Sequence, residues 1–133
     1  NESNDSGAAE AILDLSNGKN VVFVYGTLKR GRGNHYWMQE GKSETKYLGE
    51  GTTAGTMHDL GAFPGVSIGG SNSIHGELYA VDDGVLNGLD SLEGAYDRRK
   101  VPVKTDRGII RSWIYCMSEE RLSSLPVVRD GVW

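Results

Sequence analysis

Cysteine is nearly absent from this chain, since Cys116 is the single one among 133 residues. One cysteine cannot close an intramolecular disulfide and is too few for a cysteine-based zinc site, which is typical of a reducing compartment. Long apolar runs are absent too: no stretch approaches the roughly 18 residues that a membrane-spanning helix requires. Residues 1–20 also lack the apolar core of a signal peptide. We therefore expect a cytoplasmic protein without a membrane partner.

Positive charge is in deficit, with 14 lysines and arginines against 18 aspartates and glutamates and a formal net charge of -4. The field of such a chain repels a polyanion, so a nucleic-acid partner is disfavoured. Proline is scarce, at 3 residues against 19 glycines, and this balance favours tight turns between strands. A chain of this length forms one core. We expect residues 20–133 to be a single domain and residues 1–19 to be a partly flexible extension.

One apolar strand runs directly into a glycine-containing loop. Residues 21–25 read Val-Val-Phe-Val-Tyr, which predicts a strand buried on both faces. The loop contains Gly26, Gly31 and Gly33, and glycine lets a backbone come close to a ligand. Its spacing matches neither a phosphate-binding loop nor a dinucleotide-binding fingerprint. From this pattern alone the loop is either an ordinary connection or a binding site.

A metal site finds little support in the sequence. His75 and Glu77 fall on the same face of a strand predicted at residues 74–81, because side chains alternate along a strand. No third ligand lies near them, and His58 is alone in its stretch. We therefore expect no metal and no metal-ligating residues.

A helix is predicted to begin at Asp82-Asp83, where acidic side chains favour a helix N-terminus. Its apolar positions Leu86 and Leu89 lie three apart, and Glu93 follows four residues later, on the same face. Gly94 is placed to end the helix. Apolar surroundings and the helix C-terminus both disfavour an ionised carboxylate, so the pKa of Glu93 should be raised. Such a carboxylate exchanges protons near neutral pH and serves as general base and acid.

Two interpretations that give Glu93 no catalytic role remain open at this point. The first places it at a frayed helix end, and the second pairs it with Arg98 or Arg99. Asp90 and Glu77 are competing candidates for a functional carboxylate.

Two further strands are predicted at residues 99–105 and 109–117, joined as a hairpin through residues 106–108. Trp113, Tyr115 and Met117 share one face of the second strand. We expect this face to close over a ligand pocket. Residues 118–120 are predicted to start a short helical turn, and residues 122–133 to form surface coil.

Three segments together resemble the γ-glutamylcyclotransferase superfamily (AIG2-like), and most closely its γ-glutamylamine cyclotransferase branch. They are Val-Phe-Val-Tyr-Gly-Thr-Leu-Lys-Arg-Gly at 22–31 with Asn34-His35, His-Gly-Glu-Leu-Tyr-Ala-Val at 75–81, and Leu-Asp-Ser-Leu-Glu-Gly at 89–94 with Tyr96-Asp97-Arg98. The resemblance covers about residues 20–117.

The resemblance implies an α+β fold built as a small mixed β-barrel with a few short flanking helices. It also implies an enzyme without metal or cofactor that acts on a small γ-glutamyl substrate and releases 5-oxoproline and a free amine. Tyr25, Gly26, Thr27 and Leu28 match the family's substrate-binding loop, whose backbone N–H groups hold the glutamyl moiety. Glu93 matches its catalytic carboxylate.

Three candidates for the substrate stay open: a γ-glutamyl derivative of a small amine, a γ-glutamyl isopeptide, and a biosynthetic intermediate carrying a γ-glutamyl protecting group. A non-catalytic alternative is a barrel that binds an anionic small molecule at the Tyr25–Gly33 loop, with Lys29, Arg30 and Arg32 supplying positive charge. The oligomeric state is not readable from the sequence.

Overall fold

β-strands dominate the computed structural model, which describes residues 20–26, 45–94 and 96–133. In chain order the elements are β1 (Asn20–Val24), β2 (Lys46–Asp59), β3 (Pro64–Val81), α1 (Asp83–Leu92), β4 (Asp97–Thr105), β5 (Gly108–Cys116), α2 (Glu119–Leu122) and β6 (Val127–Val128).

Five of these strands close into a mixed β-barrel. The order is β3, β1, β5, β4, β2, and β2 pairs again with β3 to complete the circle. β1 runs parallel to β5, with Val22 opposite Trp113, whereas the other barrel pairs are antiparallel. The two short helices flank the barrel. The predicted class, an α+β fold around a small mixed barrel, is confirmed.

Residues 46–81 contain fewer tight turns between strands than the glycine content of the chain predicts. β2 and β3 instead form one long antiparallel ladder with register shifts, one of them between Ala54 and Gly55. Several glycines of this ladder serve close packing rather than turns. A Cβ on Gly76, for example, would collide with the carbonyl oxygen of Val24 on the neighbouring strand.

Helix α1 begins as predicted. The Asp82 side chain accepts a hydrogen bond from the backbone N–H of Val85 at 2.8 Å, which is a standard N-cap. Val85, Leu86 and Leu89 are buried on its inner face. They pack against a cluster that includes Val22 and Val24 of β1. This packing brings the C-terminal end of α1 close to the end of β1.

The last third of the chain follows the prediction with one difference. β4 begins at Asp97 and β5 ends at Cys116, and Gly108, which opens β5 after the turn, has a φ of 113°. Ser118 caps α2 by accepting from Arg121 N–H at 3.3 Å. Residues 122–133 are not all coil, because β6 pairs with β2 through Val127 and Val128. A two-residue strand carries too little periodicity to be recognised in sequence.

No helix within the described ranges is both long and apolar enough to cross a membrane. In the same ranges, no group of three or more His, Cys, Asp and Glu side chains is arranged to hold a metal ion.

Candidate active site

A small pocket opens where β1 ends. Its walls come from β1, from the turn before β3, from the end of α1 and from β5. The lining residues that the structure describes are Phe23, Val24, Tyr25, Gly26, Phe63, Pro64, Glu93, Tyr96 and Tyr115. The pocket is therefore largely aromatic, with a single carboxylate among its described side chains.

Glu93 is fixed by backbone hydrogen bonds on both sides. It is the C-cap of α1, and its N–H donates to the carbonyl of Leu89 at 2.8 Å. Its own carbonyl accepts from the N–H of Tyr96 at 2.9 Å. The interpretation of Glu93 as a frayed end is therefore wrong. Gly94 follows as the first residue after the cap, as predicted.

Burial raises the pKa of Glu93 to about 6. The carboxyl group is half-buried among aromatic rings, where water cannot fully solvate its charge. The raised pKa expected from the helical spacing is thus present. A carboxylate with this pKa can both accept and return a proton near neutral pH.

The competing carboxylates have other partners. Arg98 Nε lies 3.4 Å from Asp90 Oδ1, so this arginine pairs with Asp90. The same Asp90 oxygen accepts from the Tyr115 hydroxyl at 2.8 Å. Glu77 accepts from the Tyr79 hydroxyl at 2.8 Å and lies outside the pocket lining.

Three tyrosines surround Glu93 in the described part of the pocket, and each hydroxyl donates its proton elsewhere. Tyr25 donates to the carbonyl of Tyr115 at 2.6 Å, and Tyr96 donates to the carbonyl of Pro64 at 2.6 Å. Tyr115 donates to Asp90, as described above. Burial raises the pKa of all three phenols, and the negative charge of Glu93 raises each of them further.

The predicted loop residues divide into two pairs. Tyr25 and Gly26 line the pocket. Thr27 and Leu28 lie outside the described residues. The cationic residues of the loop, at positions 29, 30 and 32, also lie outside them. Gly26 packs closely on Pro64: a Cβ at this position would lie 2.8 Å from Pro64 Cγ. Glycine is therefore required for this contact.

Trp113, Tyr115 and Met117 were predicted to close over the pocket, and of these three only Tyr115 lines it. Trp113 lies instead beneath Arg98, whose Cζ is 4.3 Å from the ring centroid, and Met117 donates its N–H to Val66 O. Phe63 and Pro64 were not singled out from the sequence. Their place in the pocket depends on how the turn between β2 and β3 packs beside the ends of β1 and α1.

Comparisons with known proteins agree with this architecture. The profile of the family described as gamma-glutamyl cyclotransferase, AIG2-like, matches residues 22–133. A putative gamma-glutamylcyclotransferase of Vibrio cholerae is 39% identical over 119 residues, covering 86% of this chain and 96% of the relative. The gamma-L-glutamyl-butirosin B gamma-glutamyl cyclotransferase of Niallia circulans is 29% identical over 109 residues, covering 74% of this chain and 67% of the relative. The crystal structure of an AIG2-like protein from Mus musculus has a TM-score of 0.75 at 25% identity, covering 86% of this chain and 88% of that one.

The barrel, with its aromatic pocket at the end of β1, thus belongs to the AIG2-like class of folds. The chain is a member of the gamma-glutamyl cyclotransferase, AIG2-like, family. The family and the names of its relatives support a γ-glutamylcyclotransferase type of enzyme.

The raised pKa of Glu93 predicts a specific pH dependence of stability. The carboxyl group ionises near 4.5 in the unfolded chain and near 6 in the native one. Between these values the native state binds more protons, so the free energy of unfolding falls as pH rises. After allowance for partial solvent exposure, we expect a loss of about 1 kcal/mol between pH 5 and pH 8 from this group.

Urea unfolding of the wild type and of Glu93→Gln at both pH values measures this loss, because glutamine does not titrate. We expect the wild type to lose about 1 kcal/mol more than the variant. Glu120→Gln, which removes an exposed carboxylate from α2, is the matched control and should follow the wild type. If the free energy of unfolding changes equally with pH in the wild type and in Glu93→Gln, burial does not raise the pKa of Glu93.

Proposed function

We propose that this protein is a cyclotransferase that converts a γ-glutamyl amine or a γ-glutamyl isopeptide into 5-oxoproline and a free amine. The observation that carries the proposal is the position of Glu93, a fixed carboxylate with a pKa of about 6 in an aromatic pocket beside the end of β1. Membership of the family supplies the reaction class, and the pocket supplies a group suited to it.

The proposed reaction is intramolecular. The substrate's α-nitrogen attacks its own γ-carbonyl carbon, a new C–N bond closes the five-membered ring, and the bond to the leaving amine breaks. Because the nucleophile is already tethered, the pocket has mainly to fold the substrate into a ring-forming pose. The reaction in this form requires no metal, no cofactor and no protein nucleophile.

Glu93 is the proposed proton carrier. The substrate's α-amine is an ammonium ion near neutral pH and cannot attack until a base removes a proton. Ionised Glu93 takes that proton, and the protonated carboxyl then returns it to the departing nitrogen. The ring nitrogen loses its second proton as the lactam forms, and the released amine takes up one proton to become an ammonium ion. One residue performs both transfers well when its pKa lies close to the working pH.

The backbone N–H groups of the loop Tyr25, Gly26, Thr27 and Leu28 are the proposed donors to the substrate. As the ring closes, the γ-carbonyl oxygen gains negative charge, and a correctly aimed N–H stabilises it by about 3 kcal/mol. Tyr25 and Gly26 lie in the pocket wall. For Thr27 and Leu28 the proposal follows from their sequence match to the family loop.

For the leaving group we propose an amine carried on a small molecule or on a lysine side chain, in line with the γ-glutamylamine branch. A second candidate is a γ-glutamyl group on a biosynthetic intermediate. The name of the Niallia circulans relative, which specifies γ-L-glutamyl-butirosin B, supports that candidate.

The anion-binding alternative is weaker. The polar side chains in the described pocket lining are the carboxylate of Glu93 and three phenols whose protons are donated elsewhere. These groups offer lone pairs, whereas an anion needs hydrogen-bond donors. A pocket with this polarity favours a ligand that carries N–H groups.

A substrate panel tests the proposal. The purified protein is incubated with γ-glutamyl-ethylamide, γ-glutamyl-ε-lysine and γ-glutamyl derivatives of larger amines, and 5-oxoproline is quantified. We expect release of 5-oxoproline from at least one of them, and the ranking of rates identifies the leaving group. Binding of these compounds without any conversion would favour the non-catalytic alternative.

A further inference from the structure

The tyrosines around Glu93 share one direction of hydrogen bonding. A phenol has a single proton and two lone pairs. Tyr25, Tyr96 and Tyr115 have each committed that proton to an acceptor at 2.6–2.8 Å. Towards a ligand, these hydroxyl groups can therefore only accept hydrogen bonds.

A primary ammonium group is the chemical complement of such a site. It has three N–H donors and no acceptor. Ionised Glu93 can accept one of them, and the phenol oxygens around it can accept the others. Aromatic rings that line the pocket add a favourable cation–π interaction with a positive charge.

The direction of the Tyr115 hydroxyl depends on Asp90. Asp90 Oδ1 accepts the Tyr115 proton at 2.8 Å and also lies 3.4 Å from Arg98 Nε. Arg98 is itself held over the ring of Trp113 on β5. Without Asp90, the Tyr115 hydroxyl would be free to rotate and donate its proton into the pocket, towards the carboxylate of Glu93.

We infer that Asp90, anchored by Arg98, is a positioning residue that turns the Tyr115 hydroxyl into an acceptor and so completes a binding site for the substrate's α-ammonium group. Asp90 does not touch the substrate; it acts through Tyr115. The inference rests on the proposed function, since that function supplies the ammonium-bearing substrate.

Two compounds that cannot cyclise test the inference by binding alone. L-Norleucine carries an α-ammonium and an α-carboxylate but has no γ-carbonyl, and L-2-hydroxyhexanoate replaces the ammonium with a hydroxyl. We expect the wild type to bind L-norleucine more tightly by about tenfold or more, because charge-assisted hydrogen bonds are the stronger ones. Equal affinities for the two compounds in calorimetric or NMR titrations would overturn the inference.

Substitutions then test the role of Asp90. We expect Asp90→Ala and Tyr115→Phe each to reduce the preference for L-norleucine by about threefold or more, and the double variant to lose no more than Asp90→Ala alone. Asp90→Asn keeps an oxygen that accepts from Tyr115, so its preference should stay within about twofold of the wild type. Asp106→Asn, in the exposed turn before β5, is the control and should leave the preference for L-norleucine unchanged.

A purely structural role for Asp90 would lower the thermal stability of Asp90→Ala without changing the preference, and this result would overturn the inference. If Asp90→Ala fails to fold, Tyr115→Phe still tests whether the Tyr115 hydroxyl contributes to the preference for L-norleucine, because this variant keeps the packed ring and removes only the hydroxyl. An unchanged preference in that variant also overturns the inference. Because neither probe turns over, an ammonium preference without 5-oxoproline formation would refute the proposed function and leave the binding site standing.

Discussion

Glu93→Gln is expected to lower kcat for 5-oxoproline release by about 10²- to 10⁴-fold, the usual contribution of a positioned general base and acid. Glutamine keeps the size of the side chain but can neither take the proton of the α-ammonium nor return it to the leaving amine. The wild type should also show an acidic limb in kcat/KM near pH 6, because Glu93 must be ionised to act as a base. Residual activity of the variant should lack that limb.

The loss of activity must be separated from loss of the fold. Glu93→Gln removes a charge that burial disfavours, so the variant should be at least as stable as the wild type at pH 8. Glu120→Gln makes the same chemical change on the surface of α2 and should retain full activity. Full activity in Glu93→Gln, with a folded protein, would remove Glu93 from the mechanism.

Gly26→Ala is expected to reduce kcat/KM by about 10- to 100-fold, because small displacements of positioning groups have effects of this size. The new Cβ would lie 2.8 Å from Pro64 Cγ and 2.9 Å from Pro64 Cδ. Either the end of β1 or Pro64 must move. The Pro64 carbonyl holds the Tyr96 hydroxyl at 2.6 Å, so a shift on either side changes the pocket.

Overpacking at Gly26 should also destabilise the protein by about 1–3 kcal/mol. Gly94→Ala is the matched control, because a Cβ there would meet its nearest neighbour at 3.6 Å, an ordinary contact. The control should keep both stability and activity. Wild-type kcat/KM in Gly26→Ala, assayed at a temperature where both proteins are folded, would show that the packing of Gly26 on Pro64 does not shape the site.

The sequence was informative wherever a local pattern encodes the structure. The spacing of Leu86, Leu89 and Glu93 placed a carboxylate on the apolar face of a helix, and the structure has Glu93 at the C-cap of that helix, half-buried and with a raised pKa. The strand predicted at residues 21–25 is observed as β1 (Asn20–Val24), and Gly26 follows it into the pocket lining. The closed barrel followed from the resemblance rather than from periodicity, because strand order and closure are long-range properties.

Long-range pairings explain what the sequence did not reveal. Tyr96 meets Pro64 across 32 positions, and Tyr115 meets Asp90 across 25. Such contacts depend on strand register, because a shift of one residue in β5 would turn Tyr115 to the opposite face. The acceptor character of the pocket is therefore a property of the fold and not of any motif. The same applies to β6, which pairs with β2 at a distance of about 70 residues.

The central claim, intramolecular attack by the substrate's α-amine on its own γ-carbonyl, is tested most directly by the fate of solvent oxygen. The wild-type protein is incubated with γ-glutamyl-ε-lysine in water enriched in heavy oxygen, and the products are analysed by mass spectrometry. The account predicts 5-oxoproline without solvent oxygen, together with free lysine. Labelled glutamate, formed by attack of water on the γ-carbonyl, would contradict it.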